Sequence, residues 1–234
     1  MCARPNGIVV AIDGPSGAGK STIARLLAER LGYLQIDTGA MYRAAALLLS
    51  RSGVDLTDPV AVERSCQQID IRLELINGHQ VVRANDDDVT AMIRTPEMSL
   101  LTSRTSTLAP VRAAMLKAQQ ALGSNGGVVL EGRDIGTVVF PDAEVKFFLS
   151  ASVEERARRR CAELLLKGET VTFEATVADV VQRDKQDSER ALAPLRQADD
   201  AIAIDSSVLS IEDVLERMEV LCCSKIEEVS GLKQ

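Results

Sequence analysis

Apolar and polar positions recur along this chain with two different periods, and the change of period divides it. From Ile8 to Ile12 every position is apolar, the mark of a strand covered on both faces. After Lys20, the residues Ile23, Leu26, Leu27 and Leu31 fall at helical spacing, and Gly32 supplies a C-terminal cap. A short strand is expected over 33–36, ending at Asp37-Thr-Gly39, followed by an alanine- and leucine-rich helix over 40–49. Strand, turn and helix in alternation predict a parallel sheet with helices on both faces.

Near residue 66 the period drops to two. Ile69, Ile71, Leu73 and Leu75 alternate with Asp70, Arg72 and Glu74, and Asn77-Gly78 is a hairpin signal. Residues 80–84 return antiparallel and 86–90 add a third short strand, which predicts a small lobe over about 66–92 inserted into the parallel domain. Helical spacing resumes over about 96–108 and 110–123, and Gly126-Gly127 breaks it. Val128–Leu130, Val145–Leu149 and Ala201–Asp205 read as further strands. Ser152-x-x-Glu155 is a capping box opening a helix that runs to Lys167-Gly168. A second helix over 173–188 makes 152–190 a helical hairpin, and a closing helix spans 210 to about 230, with a frayed tail beyond. With no repeat and no linker, the 234 residues read as a single α/β domain carrying an inserted lobe and a hairpin.

Composition excludes several classes of function. An apolar share of 46% suffices for a core, yet no run approaches the roughly 18 apolar residues of a membrane span. The first seven residues lack the apolar stretch of a signal peptide, so a soluble, cytoplasmic chain is expected. The five cysteines are scattered and odd in number, against a disulfide framework, and Cys222-Cys223 should place one thiol on each face of a helix. His79 is the only histidine, which removes both Cys/His metal spacing and any serine–histidine or cysteine–histidine triad. A net charge of −7 disfavours nucleic acid, and an aromatic share of 3% without tryptophan leaves no stacking platform for single strands. Within this acidic chain, arginines cluster at 156–160 and recur at 183, 190 and 196, a pattern suited to a small anionic ligand.

The chemistry begins at Gly14-Pro15-Ser16-Gly17-Ala18-Gly19-Lys20-Ser21-Thr22, between the first strand and the first helix. This is the complete P-loop spacing G-x-x-x-x-G-K-S, whose backbone N–H groups and helix end form an anion site. Lys20 belongs near the β- and γ-phosphates of a nucleoside triphosphate, and the Ser21 hydroxyl on Mg²⁺. Glycines at 14, 17 and 19 do not follow the dinucleotide fingerprint. A plain glycine-rich turn is the bland alternative, and the complete spacing with correct flanks argues against it.

Other features divide between chemistry and structure. Asp86-Asp87-Asp88 invites a metal, but consecutive strand carboxylates point in alternating directions, which favours a solvated acidic turn. Asp134, just past the carboxyl end of a parallel strand, lies on the rim where open α/β sheets bind ligands, or is an ordinary turn residue. Arg183, Asp187 and Arg190 fall at spacings of four and three and so share a helix face; as a simple ion-pair ladder they contribute only a few tenths of a kcal/mol. Arg156, Arg158, Arg159 and Arg160 occupy the first turns of their helix, where the dipole opposes cations. They form either a solvated face or a lid over a polyphosphate. A donor cradle together with clamping arginines suits phosphoryl transfer, which needs positioning and charge cancellation more than covalent help. An acceptor that is already an ionised phosphate oxygen needs no general base.

Four segments carry a closer resemblance: Ala11-Ile-Asp-Gly-Pro-Ser-Gly-Ala-Gly-Lys-Ser-Thr22, Asp37-Thr-Gly-Ala-Met-Tyr-Arg43, Glu131-Gly-Arg-Asp-Ile-Gly-Thr-Val-Val-Phe-Pro141 and Arg183-Asp-x-x-Asp187-x-x-Arg190-x-x-Ala-Pro-Leu195. In this order, over about 7–222, they resemble bacterial-type cytidylate kinases. The resemblance implies an α/β P-loop NTPase three-layer fold with a central parallel sheet, a small antiparallel insertion on the monophosphate side and a helical lid. It implies transfer of the γ-phosphoryl group of ATP, with Mg²⁺, to CMP or dCMP by a monomer. By the same similarity Thr38, Arg43 and Arg133 address the acceptor phosphate, and Ser103, Arg112 and Asp134 read the cytosine edge, with Thr102 and Ser106 competing with Ser103. Arg183 and Asp187 contact the sugar, Arg190 bridges toward the phosphates, and Arg156 and Arg159 are the lid arginines placed on ATP. Lys20, Arg133, Arg183 and Arg190 form the catalytic set. A P-loop kinase for UMP, AMP or a sugar-like acid is the nearest rival. A nucleotide-dependent switch is a rival of another class, although the N-K-x-D guanine motif is absent.

Overall fold

The computed structural model describes residues 4–76, 78–166 and 168–231. The Asn77 half of the hairpin turn, the Lys167 end of the hairpin's first helix, and the extreme tail lie outside them. In chain order the elements are β1 (Val9–Asp13), α1 (Lys20–Leu31), β2 (Leu34–Asp37), α2 (Thr38–Ser52), α3 (Pro59–Cys66), β3 (Ile71–Ile76), β4 (His79–Ala84) and β5 (Asp87–Asp88). Then come α4 (Pro96–Thr105), α5 (Ala109–Gly123), β6 (Val128–Gly132), β7 (Val145–Ser150), α6 (Val153–Leu166), α7 (Phe173–Glu189), β8 (Ile202–Asp205) and α8 (Ile211–Gly231). They divide into two compact units, one of Met1–Gln35 with Gly123–Gln234, the other of Ile36–Leu122.

The first unit is organised on a five-stranded sheet in the order β2-β6-β1-β7-β8. β1 is central, parallel to both neighbours, with Val10 opposite Val129 and Val145. That position explains its unbroken apolar run, since all five of its residues are buried. Ile8, Val10 and Ile12 join Phe147 and Leu149 of β7, Ile23 and Leu27 of α1, and Val214, Leu215 and Met218 of α8 in one core on one face of the sheet. Ala11 and Asp13 alternate to the opposite face, where a π-helical turn over Ile135–Val139 packs on β1. Gly32 ends α1 at φ 66°, as expected of its cap, and β8 begins one residue later than the pattern suggests.

Ser152 caps α6 through its hydroxyl, which accepts the Glu155 N–H at 3.2 Å, but only half of the expected capping box forms. The Ser152 N–H goes instead to Ser207 Oγ at 2.8 Å, and the Glu155 carboxylate is drawn to Arg158 and Arg159. Cys222 is buried and Cys223 exposed, one on each face of α8, and both are free thiols. Burial pushes the Cys222 thiol up to about 12.

In the second unit α2 packs on α3, α4 and the β3–β4 hairpin. Ile71 and Leu73 are buried while Arg72 is exposed, so the period-two reading holds there; Leu75, at 68% exposure, falls beyond the buried part. The third strand is shorter than expected, because only Asp87 and Asp88 pair with β4. The acidic triplet is spent on exposed ion pairs, Asp87 with Arg51 at 2.8 Å and Asp86 with Arg72 at 3.4 Å, and on an Asp88–Thr90 turn. Among the described residues no His/Cys/Asp/Glu group has metal-holding geometry. Helix α3 has no counterpart in the periodicity, yet its start is written in the sequence: the Asp58 side chain caps the Val60 and Ala61 N–H groups, and Pro59 occupies the first turn. No described helix is long and apolar enough to cross a membrane.

Candidate active site

The loop between β1 and α1 has its shape imposed at both ends. Gly14 adopts φ +149°, and a Cβ there would lie 1.9 Å from the Leu149 carbonyl oxygen of β7, so only glycine fits. Gly19 opens α1 at φ 93°. Along the loop the carbonyls are taken up by protein donors: Pro15 O by Lys20 Nζ at 2.6 Å, Ser16 O by Arg156 Nη1 at 3.2 Å, Ala18 O by Ser206 Oγ at 3.0 Å. With these oxygens engaged by protein donors, the loop N–H groups are the part of it that suits an anion.

Lys20 is 6% exposed. Burial, together with the nearby Arg133 guanidinium, holds its ammonium well below the ordinary lysine range, against the pull of Glu131 and Asp13. A buried cation whose hydrogen bond is to a carbonyl is poised for a polyanion.

Two carboxylates at the carboxyl ends of β1 and β6 were not singled out by sequence reasoning. Glu131, buried, accepts the Ser21 hydroxyl on Oε2 at 2.7 Å and Gln35 Nε2 on Oε1 at 3.2 Å. A hydroxyl and a carboxylate within one hydrogen bond are hard oxygen donors, which fits Mg²⁺, an ion that takes one or two protein oxygens and fills the rest of its shell with water and phosphate. Asp13 accepts the N–H groups of Ile135 and Gly136, each at 2.8 Å. Burial raises its carboxyl to about 6; the two N–H groups and Lys20 oppose the shift and Asp134 adds to it. The signal for both residues is a carboxylate ending a wholly buried apolar strand.

The Asp13 shift sets a pH dependence. Native Asp13 holds its proton up to about 6 whereas an unfolded aspartate releases it near 3.8, so this group's contribution to stability falls as pH rises through that window. Wild type should therefore lose stability relative to Asp13→Asn between pH 4 and 7, on the order of 2 kcal/mol, in urea melts at the two pH values. A constant difference across that range would contradict the assignment.

Beyond β6 two arginines and two carboxylates interlock. Arg133 Nε donates to Asp187 Oδ2 at 2.7 Å, and Arg190 Nη2 to Asp134 Oδ1 at 3.2 Å. Arg190 Nη1 lies 4.0 Å from Asp187 Oδ1 and Arg190 Nε donates to Ala193 O at 2.5 Å. Burial works to raise the Asp187 carboxyl, but Arg133, Arg183 and Arg190 overcome it and hold it below the usual aspartate value. The expected shared helix face is corrected in one respect: Arg190 is past the end of α7, in extended backbone at ψ 139°, and it reaches the cluster from the loop. Arg183 remains on α7, exposed, close enough to influence both Lys20 and Asp187.

The arginines of α6 separate by role. Arg156, 3% exposed, forks onto Asp184 of α7 at 2.8 and 2.6 Å and donates through Nε to Ala151 O at 2.9 Å. Its guanidinium thus ties α6, α7 and the P-loop together. Arg159 donates to Glu155, to Ser206 Oγ at 3.2 Å and to Ser206 O at 2.7 Å, and its Nη1 lies 3.7 Å from where a Gly19 Cβ would stand. Arg158 and Arg160 pair with Glu155 and Glu163 within α6. Removing either partner of the buried Arg156–Asp184 pair should cost about 2–4 kcal/mol, and the double variant little more than the worse single one. Additive losses in a denaturation cycle would show that the two residues do not act as a pair.

The second unit holds the remaining residues of interest. Asp37 caps α2 by accepting the Ala40 N–H at 2.8 Å and pairs with Arg43 Nη2 at 3.2 Å. Thr38 is buried in the first turn, and Arg43 Nε is buried with no hydrogen-bond partner. A helix N-terminus beside an unsatisfied guanidinium N–H suits a phosphate. Arg112 lies over the Tyr42 ring at 5.7 Å and approaches Ser106 O at 3.5 Å, which brings α5, α2 and the end of α4 together. In the contested segment Thr102 donates its hydroxyl back to Met98 O at 2.6 Å, while Ser103 stands exposed.

The chain matches known proteins along most of its length. The cytidylate kinase family profile covers residues 10–222. A cytidylate kinase of Geobacter sp. (strain M21) is 58% identical over 92% of this chain and 93% of its own. One from Bacillus velezensis is 50% identical over 88% of this chain and 92% of its own. Among solved structures, an uncharacterized protein from Eubacterium ventriosum shares the fold at a TM-score of 0.51, with 10% identity over 93% of this chain and 99% of its own. The cradle and the arginine–carboxylate cluster fall inside the matched residues, and the chain belongs to the cytidylate kinase family.

Proposed function

We propose that this enzyme transfers the γ-phosphoryl group of ATP to CMP or dCMP, giving ADP and the corresponding diphosphate. The observation that carries the reading is the pairing, in one unit, of a P-loop cradle holding a desolvated Lys20 with the Arg133–Asp187–Arg190–Asp134 cluster past β6. Membership of the cytidylate kinase family supports the acceptor.

The loop from Gly14 to Ser21, with Thr22, holds the triphosphate on its backbone N–H groups (Pro15 has none and only shapes the turn), and Lys20 neutralises charge at the β- and γ-phosphates. Ser21, with Glu131 behind it, would hold Mg²⁺, which would shield the charge of the phosphate oxygens. In the transfer a P–O bond forms from an acceptor phosphate oxygen to the γ-phosphorus as the bond to the β–γ bridging oxygen breaks. The attacking oxygen is already ionised, so no proton has to be removed. Thr38, Arg43 and Arg133 bind the acceptor phosphate, Arg183 and Asp187 the sugar, and Arg190 the transferring group. Asp134 accepts from the exocyclic amine of cytosine, with Arg112 and Ser103 on the same base. Arg159 is the lid arginine set against the loop. Its neighbour Arg156, committed to Asp184 and Ser16, serves ATP by holding the loop and lid in register. The reading is of a cytoplasmic monomer.

Phosphorus NMR of the purified protein with ATP, CMP and Mg²⁺ separates an enzyme from a nucleotide-binding switch. Stoichiometric CDP and ADP, with ATP intact when CMP is left out, is the expected result. ATP bound without transfer would refute it.

A further inference from the structure

Of the residues read above as choosing the base, Asp134 lies outside any strand or α-helix, between β6 and the π-helical turn, at φ −144°, ψ 25°. Besides the Arg190 bond to its carboxylate, its direction is set by the peptide unit joining it to Ile135. The carbonyl oxygen of that unit, from Asp134, accepts the N–H groups of Val138 at 2.9 Å and Val139 at 3.1 Å. The N–H of the same unit, from Ile135, is accepted by Asp13 Oδ1 at 2.8 Å, and Asp13 Oδ2 takes the next N–H, of Gly136, at 2.8 Å. Asp13 comes from 122 residues away, at the end of the central strand, and is 4% exposed, so water does not compete for these bonds. The charged groups acting on it are Asp134 and Lys20.

We propose that Asp13 is a positioning residue for base choice: it fixes the Asp134–Ile135 peptide plane and thereby aims the Asp134 carboxylate at the base. The inference rests on the reading of Asp134 given above. It requires a carboxylate, because an asparagine of the same shape offers one acceptor oxygen and sets an amide N–H₂ against the remaining backbone N–H. Asp13→Asn therefore releases one of the two bonds without removing volume.

The test measures kcat/KM for CMP and UMP with Mg·ATP in wild type, Asp13→Asn and Asp134→Asn. The CMP-to-UMP ratio should fall about tenfold in Asp13→Asn, equivalent to about 1.4 kcal/mol of discrimination, and at least as far in Asp134→Asn. If Asp134→Asn relaxes the ratio while Asp13→Asn lowers both activities equally, Asp13 is merely structural and the inference is overturned. If Asp134→Asn leaves the ratio unchanged, the base-reading role itself fails and takes the inference with it. Should Asp13→Asn not fold, amide exchange in the wild-type enzyme decides. The Ile135 and Gly136 amides should be as protected as those of β1, and exchange at the rate of an open loop would overturn the clamp.

Discussion

Lys20→Met is expected to lower kcat about a thousandfold or more while leaving the fold at least as stable as wild type. The two halves of this expectation come from one observation. Lys20 is buried, its ammonium is depressed by burial and by Arg133, and its hydrogen bond is to the Pro15 carbonyl. In the free protein that cation is an unfavourable burial, so replacing it with an apolar side chain of similar length relieves a penalty. In the proposed transfer the same cation would face charge spread over the phosphoryl oxygens, in a setting where water screens little. Steady-state turnover with saturating CMP, together with a thermal melt, checks both. A variant retaining more than a tenth of wild-type kcat would remove Lys20 from the mechanism.

Arg190→Ala should reduce kcat by about 10²–10³-fold, and Arg190→Lys should recover only a small part. Arg190 reaches both carboxylates of the cluster, Asp134 at 3.2 Å and Asp187 at 4.0 Å, while Ala193 O orients its Nε. A planar fork can hold that bridge and still face a phosphate; a single ammonium cannot do both. Alanine also leaves Asp187 with less compensation, so its carboxyl should rise toward the ordinary aspartate value, which carbon-13 NMR of the carboxyl follows. Full recovery of kcat by lysine would show that charge alone is required and that the fork geometry is irrelevant.

Much of this arrangement is legible in the sequence, because local rules write it. The apolar run of β1, the Gly32 cap, the period-two hairpin and the P-loop spacing each depend on neighbours in the chain. What escapes such reading depends on partners far away. Asp13 and Glu131 look like the polar ends of buried strands until the turn after β6 and Ser21 are brought to them. Periodicity cannot choose which arginine of a helix turns inward, and so Arg156 and Arg159 read alike. In the fold Arg156 is committed to Asp184 and the Ser16 carbonyl, while Arg159 lies against Gly19. Arg190 joins its cluster from extended backbone, which a helical spacing rule misses. Helix α3 has a local signal of its own, the Asp58-Pro59 pair, which apolar periodicity does not show.

The proposed acceptor, a cytidine monophosphate, is tested most directly by kcat/KM at fixed Mg·ATP across CMP, dCMP, UMP, AMP and shikimate. CMP or dCMP should lead every other acceptor by about a hundredfold; against UMP the cause is direct, since the uracil carbonyl in a dry site leaves Asp134 facing an acceptor. Turnover of UMP, AMP or shikimate above that of CMP and dCMP would contradict it.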